Sequence, residues 1–397
     1  MKKSNKLILI ITGSRGDYDI LKPIIKKTKE SKKLKIKTIV TGSHLISTYG
    51  NLKIFDNDKI KIDQKIKIKY FGDKSDSILK FISNGIMRFN SCFVKYKPDL
   101  VLILGDRYEI FSAAISAYYN RIPIGHISGG EVTQGSYDDA IRHSITKLST
   151  LHFVANKDYA KRVKQLGEAS KNVYDIGNTN LDDIKKIKFD KKNIIEKRIN
   201  FKFKKTNYLI TFHPATLEND FGLSDFELLL KFFSTKPEIG IIFTLPNSDT
   251  NNFKIIKLIK QFVKENKNSK YYKFLGKQTY FSIVKLVNAV IGNSSSGISE
   301  IPSLKKPTIN IGLRQEGRIK AKSIIDLKKL NISSLKNSLI KIKSKRFQSI
   351  IRNVKNPYYK KNSLKRIVRV LEEVELKNIN LKKFVDINKG KNENKSF

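Results

Sequence analysis

The stretch from residue 129 to residue 143 gathers three carboxylates, an arginine and a histidine, namely Glu131, Asp138, Asp139, Arg142 and His143. It follows the apolar, strand-like run 122–127. Because charged groups are costly to hold at the end of a buried strand, we interpret the stretch as an acid/base site. The structural alternative is a helix start stabilised by two pairs with i,i+4 spacing, Asp138–Arg142 and Asp139–His143.

Two further polar motifs follow predicted strands in the first half of the chain. Residues 13–19, GSRGDYD, place glycine, serine and Arg15 at a helix start, which favours phosphate or sugar-nucleotide contact over an ordinary turn. They do not form the G-x-G-x-x-G fingerprint of dinucleotide-binding folds. Asp106 and Arg107 come directly after the apolar run 100–104. Asp106 either caps the next helix or joins a site together with Arg107.

The second half of the chain carries its own polar motifs at strand ends. His213 follows a strand-like run, where a neutral imidazole can contact a phosphate or a leaving group. Residues 292–300, GNSSSGISE, combine small hydroxyl side chains with a helix start and so predict a diphosphate cradle. Glu300 at the end of this motif is placed to accept hydrogen bonds from ribose hydroxyls. Arg314 and Arg318 add positive charge after the following strand.

Alternating apolar and amphipathic segments must position these motifs. Strands are predicted over residues 7–12, 36–41, 100–104, 122–127, 151–154 and 173–176, and again over 208–212, 239–244, 273–275, 289–292 and 308–311. Helices are predicted between them, over 18–29, 78–96, 109–119, 139–148, 159–166, 226–233, 253–263, 280–287 and 295–304. This order predicts an α/β protein with two doubly wound, Rossmann-like domains that face a cleft.

A charge-dense segment, residues 182–205, separates the two series of strands. We therefore expect an N-terminal domain over residues 1–185 that carries the acid/base groups and a C-terminal domain over 206–376 that binds the nucleotide. A polar tail follows over 377–397. A helix near residues 363–374 either closes the second domain or crosses back to the first. The alternating run 60–68 has no clear place in the sheet.

The charge balance and the single cysteine exclude several classes of protein. The net charge is +43, but the lysines are spread along the chain, as in proteins from AT-rich genomes, so no specific nucleic-acid partner is expected. No apolar run approaches the roughly 20 residues of a membrane span. The run 7–11 is too short for a signal peptide, which predicts a cytoplasmic protein. Cys92 is the only cysteine, which excludes intrachain disulfides and cysteine-rich metal sites.

Taken together and in this order, the motifs resemble those of the hydrolysing UDP-N-acetylglucosamine (UDP-GlcNAc) 2-epimerases. The resemblance runs from about residue 13 to residue 318 and rests on GSRGDY, GDR, GGE…DDxxRH, HPxT, GNSS and RQxGR. Non-hydrolysing relatives typically carry Arg-Pro-Glu after the first glycine and a Ser-Asp-Ser-Gly-Gly loop. This chain has Arg-Gly-Asp at residues 15–17 and Asn-Ser-Ser-Ser at residues 293–296 instead, which favours the hydrolysing branch. The resemblance implies two domains of the glycosyltransferase-B type.

The resemblance also implies roles for individual residues. Asp106, Glu131 and Asp139 match acid/base carboxylates, and His213 matches a catalytic histidine. The positions that match UDP contacts are Arg15, Asn247, Ser294, Ser295, Glu300 and Arg314, to which Arg107 is added. No metal and no cofactor are implied. The partner is a UDP-sugar substrate, and a homodimer or homotetramer is expected.

Several alternatives remain open at this point. The implied reaction converts UDP-GlcNAc and water to N-acetylmannosamine and UDP through a glycal. A close variant acts on UDP- or GDP-N,N′-diacetylbacillosamine in the legionaminic acid pathway. A UDP-sugar glycosyltransferase of the same architecture would not need the carboxylate cluster around Glu131. A nucleic-acid-binding protein, suggested only by the charge, would need its basic residues gathered on one face.

Overall fold

The computed structural model describes residues 5–46, 50, 52–69, 75–134, 137–184, 186–215, 218–246 and 252–387. Over these residues the chain forms two parallel β-sheets covered by helices, which confirms the predicted α/β architecture. Inner strands are rich in apolar residues, most completely in the buried run LVLIL, because helices cover both faces of each sheet.

The N-terminal sheet, within the described residues, has the strand order β3-β2-β1-β4-β5-β6-β7. Its strands are β1 (Lys6–Thr12), β2 (Leu34–Val40), β3 (Gln64–Lys65), β4 (Leu100–Leu104), β5 (Ile124–Ile127), β6 (Leu151–Val154) and β7 (Val173–Asp175). Strand β1 pairs in parallel with both β2 and β4, so the strand order reverses there and opens a crevice at the carboxyl ends.

Helices α1 to α8 accompany this first half of the chain. They are α1 (Arg15–Lys29), α2 (Lys53–Asn57), α3 (Ser75–Tyr96), α4 (Tyr108–Tyr119), α5 (Asp138–Leu148), α6 (Lys157–Gln165), α7 (Asn180–Ile184) and α8 (Lys192–Ile199). Helix α1 begins where the Ser14 hydroxyl accepts a hydrogen bond from the Asp17 amide at 3.3 Å, and its last turn is rich in lysine. Both features favour a helix at these residues.

The C-terminal sheet has the order β10-β9-β8-β11-β12-β13 within the described residues. Its strands are β8 (Thr206–Thr211), β9 (Ile239–Thr244), β10 (Ser269–Tyr272), β11 (Ala289–Gly292), β12 (Thr308–Ile311) and β13 (Ile324–Leu327). Its helices are α9 (Leu223–Ser234), α10 (Asn252–Glu265), α11 (Lys277–Leu286), α12 (Ser295–Ser299), α13 (Ile332–Lys341) and α14 (Lys345–Asn353). The order reverses at β8, which pairs with β9 and β11.

Three of the differences between the predicted elements and this structure lie at sheet edges. The strand expected at 273–275 lies instead at β10, and the expected residues form the loop after it. Strand β13 was missed because its residues are partly exposed and include a polar Asp326. The alternating run 60–68 contributes only the two-residue edge strand β3, which pairs with β2. Edge strands are half-solvated, so their apolar signal is weak.

The helix expected near residues 363–374 is α15 (Ser363–Glu373), and it crosses back to the first sheet. Its Ile367 and Leu371 are buried in the N-terminal core, and the Lys6 ammonium donates to the carbonyls of Leu371 and Glu372 at 3.2 and 2.9 Å. The domain limits remain predictions, but this helix, expected within 206–376, packs on the N-terminal sheet. The segment that follows it lies against the same domain, where the Val385 amide donates to the Gly167 carbonyl at 3.0 Å.

The chain thus passes between the two sheets twice, and the two crossings are in contact. The first crossing follows β7, and the second precedes α15. The Asn178 amide donates to the Tyr358 carbonyl at 2.8 Å, and the Lys360 ammonium pairs with the Asp175 carboxylate. None of the helices in the described residues is long and apolar enough to cross a lipid bilayer.

Candidate active site

A cavity of about 410 Å³ lies between the carboxyl ends of the two sheets. Its N-terminal wall includes side chains that follow β1, β4 and β5, and its C-terminal wall includes side chains that follow β8, β10, β11 and β12. Of the residues singled out in the sequence, the lining contains Asp106, Arg107, Asp138, Arg142, His213, Ser294, Ser295, Glu300, Arg314 and Arg318. Charged groups from both domains therefore face the same cleft.

Arg142 organises the carboxylates of the N-terminal wall. This side chain is almost completely buried, and its guanidinium pairs with the Asp106 carboxylate. It also donates to the Glu131 carbonyl at 3.0 Å and to the Thr133 hydroxyl at 3.2 Å, and it lies 3.5 Å from the Asp139 carboxylate. A buried guanidinium with this many acceptors fixes the loop between β5 and α5 against the end of β4.

Asp138 and Asp139 are neighbours in sequence but point to different surroundings. Asp138 lines the cavity. Asp139 accepts a hydrogen bond from the Thr133 amide at 2.6 Å, and its carboxylate lies 3.6 Å from the His143 ring. The expected Asp139–His143 pair is therefore present, whereas Arg142 pairs with Asp106 and Asp139. Among the described residues that line the cavity, Asp138 occurs and Asp139 does not.

Glu131 also stands just behind the lining, at the contact between the two domains. Its carboxylate forms an ion pair with the Arg318 guanidinium, with 2.7 Å between Oε2 and Nη1. The two side chains are only 9% and 11% exposed. The first belongs to the loop after β5 and the second to the loop after β12. This ion pair therefore joins a predicted acid/base carboxylate to the opposite wall of the cleft.

His213 is held by its neighbour in the second sheet. It follows β8, lines the cavity and is buried. Its amide donates to the Asn293 carboxamide at 2.7 Å, and the same carboxamide donates to the His213 carbonyl at 2.8 Å. The backbone of Asn293 in turn accepts hydrogen bonds from Arg314 and Gln315. The imidazole is therefore carried on a rigid strand end.

The serine-rich loop after β11 forms the C-terminal wall. Ser294 precedes α12, and Ser294 and Ser295 both line the cavity. Glu300 accepts a hydrogen bond from the Asn180 carboxamide. Burial raises the pKa of Glu300, although the Ser296 hydroxyl and the Lys277 ammonium partly offset that effect. This wall thus carries small hydroxyl groups followed by a largely buried carboxylate, and their diphosphate and ribose contacts remain predictions.

The motif at the start of α1 contributes a contact across the cleft. The Arg15 guanidinium lies over the ring of Phe274, which lines the cavity from the loop after β10. Burial lowers the pKa of Arg15 to about 10, and Asp19 partly offsets it. The neighbouring Asp17 also lines the cavity, and burial raises its pKa to about 7 against the opposing effect of Arg107. Arg107 itself donates to the fully buried Glu109 at 2.8 Å.

The structure therefore brings the predicted site residues of both domains to one cleft, with two qualifications. Glu131 and Asp139 contact lining residues from behind and Arg15 contacts Phe274 across the cleft, whereas Asn247 lies outside the described residues. Sequence reasoning did not single out Asn293, Asn180 or Phe274, whose partners are distant in the chain. Asn293 belongs to the motif at residues 292–300, but only the fold shows that it holds the His213 backbone. Within the described part of the chain, no group of three or more His, Cys, Asp or Glu side chains could hold a metal ion.

Known proteins match this chain along most of its length. Residues 26–372 match the family model described as UDP-N-acetylglucosamine 2-epimerase. The chain is 39% identical over 346 residues to the GDP/UDP-N,N′-diacetylbacillosamine 2-epimerase (hydrolyzing) of Campylobacter jejuni, which covers 87% of this chain and 89% of that protein. It is 36% identical to the polysialic acid biosynthesis protein P7 of Escherichia coli, over 96% of this chain and 98% of that one.

The solved structures show the same fold. The crystal structure of UDP-GlcNAc 2-epimerase from Neisseria meningitidis bound to UDP-GlcNAc superimposes with a TM-score of 0.79 at 22% identity, covering 92% of this chain and 99% of that one. At that identity the likeness establishes the architecture alone. The family match along most of the sequence, together with the identity to the two relatives, shows that the chain belongs to the UDP-N-acetylglucosamine 2-epimerase family.

Proposed function

We propose that the protein is a hydrolysing 2-epimerase that converts a UDP-linked 2-acetamido sugar and water to UDP and the free sugar with inverted C2. One observation carries this proposal. Carboxylates of one domain and a histidine of the other converge on a single cleft whose far wall is a serine-rich helix start. A transferase of the same architecture needs the nucleotide wall but not the carboxylate cluster.

The proposed chemistry uses the two walls differently. A base takes the C2 proton while the C1–O bond to UDP breaks, which leaves a C1=C2 double bond in a glycal. Water then adds its oxygen to C1, and a proton is delivered to the opposite face of C2. Such steps need acids and bases of different pKa in an enclosed site. We assign them to Asp106, Glu131, His213 and an aspartate at the start of α5.

Within α5 the cavity lining favours Asp138 as the group that meets the substrate. Asp139, the residue expected from the sequence, is engaged by the Thr133 amide and by His143. We therefore propose that Asp138 acts on the sugar and that Asp139 orders the loop before α5. We assign the nucleotide to Ser294, Ser295, Glu300 and Arg314, with Arg15 and Arg107 at the opposite wall.

Two sugars are candidates for the substrate. UDP-GlcNAc, the first candidate, is supported by the description of the matching family. The nucleotide-linked N,N′-diacetylbacillosamine is supported by the 39% identity to the Campylobacter jejuni enzyme named for it. The two sugars differ by a 4-acetamido and a 6-deoxy group, so both should be assayed side by side.

The test is proton NMR of the purified protein with each UDP-sugar in deuterated water, without metal or acceptor. Free N-acetylmannosamine deuterated at C2, together with released UDP, would support the proposal with the first sugar. Turnover of the diacetylbacillosamine nucleotide alone would support the second sugar. The His213→Ala variant should lose at least about 100-fold of the turnover, which ties the activity to this cleft. Formation of UDP-N-acetylmannosamine, or turnover only when an acceptor is added, would contradict the hydrolysing assignment.

A further inference from the structure

Two loops from different domains meet beside the cleft. We call this contact the interdomain seam, and it consists of residues 131–134 after β5 and residues 315–318 after β12. The Gln134 amide donates to the Glu316 carbonyl at 3.3 Å. The Glu131–Arg318 ion pair lies at the cavity end of the same contact. A backbone hydrogen bond and a charge pair thus fix the two loops against each other.

Gly317 makes the close approach of these loops possible. Its φ is +81°, a backbone conformation that residues other than glycine rarely adopt. A Cβ at this position would overlap a methyl group of Val132 in the other domain. Gly312, in the same loop, has a similar φ of +77°, but a Cβ there would meet only the carboxylates of Glu218 at 3.6 Å and Asp225 at 3.9 Å, both at ordinary contact distance. The seam therefore depends on glycine at 317 for space, not only for backbone conformation.

The ion pair in the seam is expensive to bury and is therefore unlike a surface contact. Arg318 is 11% exposed, and its Nε is buried without a hydrogen-bond partner. Burial by itself would lower the pKa of this guanidinium, but the Glu131 carboxylate opposes that effect, and the net shift of the pKa is upward. A buried ion is tolerated when a matched partner neutralises it. Arg318 is thus matched to a carboxylate that only the other domain supplies.

The residues assigned to the nucleotide differ from the seam in one important way. Ser294, Ser295, Glu300 and Arg314 all belong to the C-terminal half of the chain. The seam adds to them a carboxylate, Glu131, that the N-terminal half supplies. We therefore expect the seam to affect the alignment of the acid/base groups more than the binding of UDP.

We propose that Arg318 is a positioning residue that holds the Glu131 carboxylate in place just behind the lining of the cleft when the interdomain seam forms. The inference rests on the proposed function, because Glu131 is assigned there as an acid/base group. It predicts that the seam controls the chemical step rather than nucleotide affinity.

The first test compares Arg318→Gln and Arg318→Lys with the wild type in kcat, KM and the Kd for UDP. We expect Arg318→Gln to lower kcat about 100-fold and to change the UDP Kd less than about threefold. Arg318→Lys keeps the charge and should recover part of the lost kcat. An Arg318→Gln variant with unchanged kcat would overturn the proposal. A loss confined to UDP affinity would overturn it as well, since Arg318 would then be a phosphate ligand.

The second test changes the seam without removing a charged group. Gly317→Ala should lower kcat at least about tenfold, whereas Gly312→Ala carries similar backbone strain and should stay within about twofold. Val132→Ala removes the methyl group that the new Cβ would meet, so the Val132→Ala/Gly317→Ala double variant should recover activity relative to Gly317→Ala. Equal losses in the two glycine variants, without recovery in the double variant, would contradict the proposal.

Hydrogen exchange separates this inference from the proposed function. The Gln134 amide reports the seam directly, and its protection should be lost in Gly317→Ala and kept in Gly312→Ala. If the wild type turns over neither sugar while this protection behaves as expected, the proposed function fails and the seam stands. If the wild type is active but the Arg318 variants are too, the positioning role fails and the function stands.

Discussion

The Asn293 carboxamide holds the His213 backbone from both sides. Its oxygen accepts from the His213 amide at 2.7 Å, and its nitrogen donates to the His213 carbonyl at 2.8 Å. The two residues are 80 positions apart in the chain and lie at the ends of the neighbouring strands β8 and β11. The backbone that carries the predicted catalytic imidazole is thus held by the serine-rich loop, for which we propose nucleotide contacts.

Asn293→Ala should therefore impair catalysis more than its effect on stability explains. Loss of two buried hydrogen bonds should lower the free energy of unfolding by about 1–3 kcal/mol. Displacement of His213 should lower kcat about tenfold or more. Steady-state kinetics and urea unfolding measure both effects. Asn331→Ala, which removes the cap of α13, is the matched control and should cost about 1 kcal/mol without a change in kcat. Equal kcat in both variants would show that the hydrogen bonds from Asn293 to His213 support only the stability of the fold.

Asp138 and Asp139 should respond differently to amide substitution. Asp138→Asn removes a carboxylate from the cavity lining and should lower kcat about 100-fold or more. Asp139→Asn keeps an oxygen that can accept from the Thr133 amide, so its loss should stay below about tenfold. Turnover of both UDP-sugars and thermal unfolding should be measured for each variant. A larger loss in Asp139→Asn than in Asp138→Asn would return the acid/base role to Asp139.

Glu300→Ala should act mainly on nucleotide affinity. A hydrogen bond to a charged group contributes about 1.5–3 kcal/mol, so the UDP Kd should rise about tenfold to 100-fold. Because burial raises the pKa of Glu300, its ionised form is lost earlier on acidification, and UDP should bind more weakly there. Isothermal titration calorimetry at several pH values tests both statements. The exposed Glu227 on α9 supplies the control variant, Glu227→Ala, and an unchanged Kd in Glu300→Ala would remove the ribose assignment.

Asp17 should make the protein less stable as the pH rises. Its pKa is raised from 3.8 to about 7 by burial, so between these values the folded state binds more protons than the unfolded state. Stability is then highest below the lower value and is lost as the pH passes the upper one. Asp17→Asn, which stays neutral, should melt about 2–4 °C above the wild type near pH 8 and at the same temperature near pH 4.

The control for this prediction is Asp158→Asn on α6, whose carboxylate is 63% exposed. It should leave the melting temperature nearly unchanged at both pH values. A wild-type melting temperature that does not fall relative to Asp17→Asn as the pH rises would contradict the assignment.

The fold could be predicted where the apolar pattern is strong. Strands β4, β6, β9, β11 and β12 agree with the predicted residues because buried parallel strands are continuously apolar. Strand β13 and the position of β10 could not be predicted in this way, since edge strands carry a mixed pattern. The crossing of α15 was left open because an amphipathic helix shows which face it buries but not against which sheet.

The candidate site was predictable to the level of strand ends. Parallel strands deliver their carboxyl ends to one edge, so Asp106, His213 and Ser294 could be expected in one cleft. The choice between Asp138 and Asp139 could not be made, because neighbouring residues on a helix point in different directions. Two contacts could not be predicted either, the Asn293–His213 hydrogen bonds and the Glu131–Arg318 ion pair. Both join residues that only the tertiary structure brings together.

The paired crossings between the domains restrict how the cleft can open. A domain joined by one linker can rotate in any direction, whereas a domain joined by two adjacent, hydrogen-bonded linkers is restricted in its rotation. The contacts of Asn178 with Tyr358 and of Lys360 with Asp175 join the two crossings. We expect the remaining freedom to be mainly a rotation about one axis, which would bring the same loops back into contact at each closure. If a protease cut one crossing, the other would still connect the two domains.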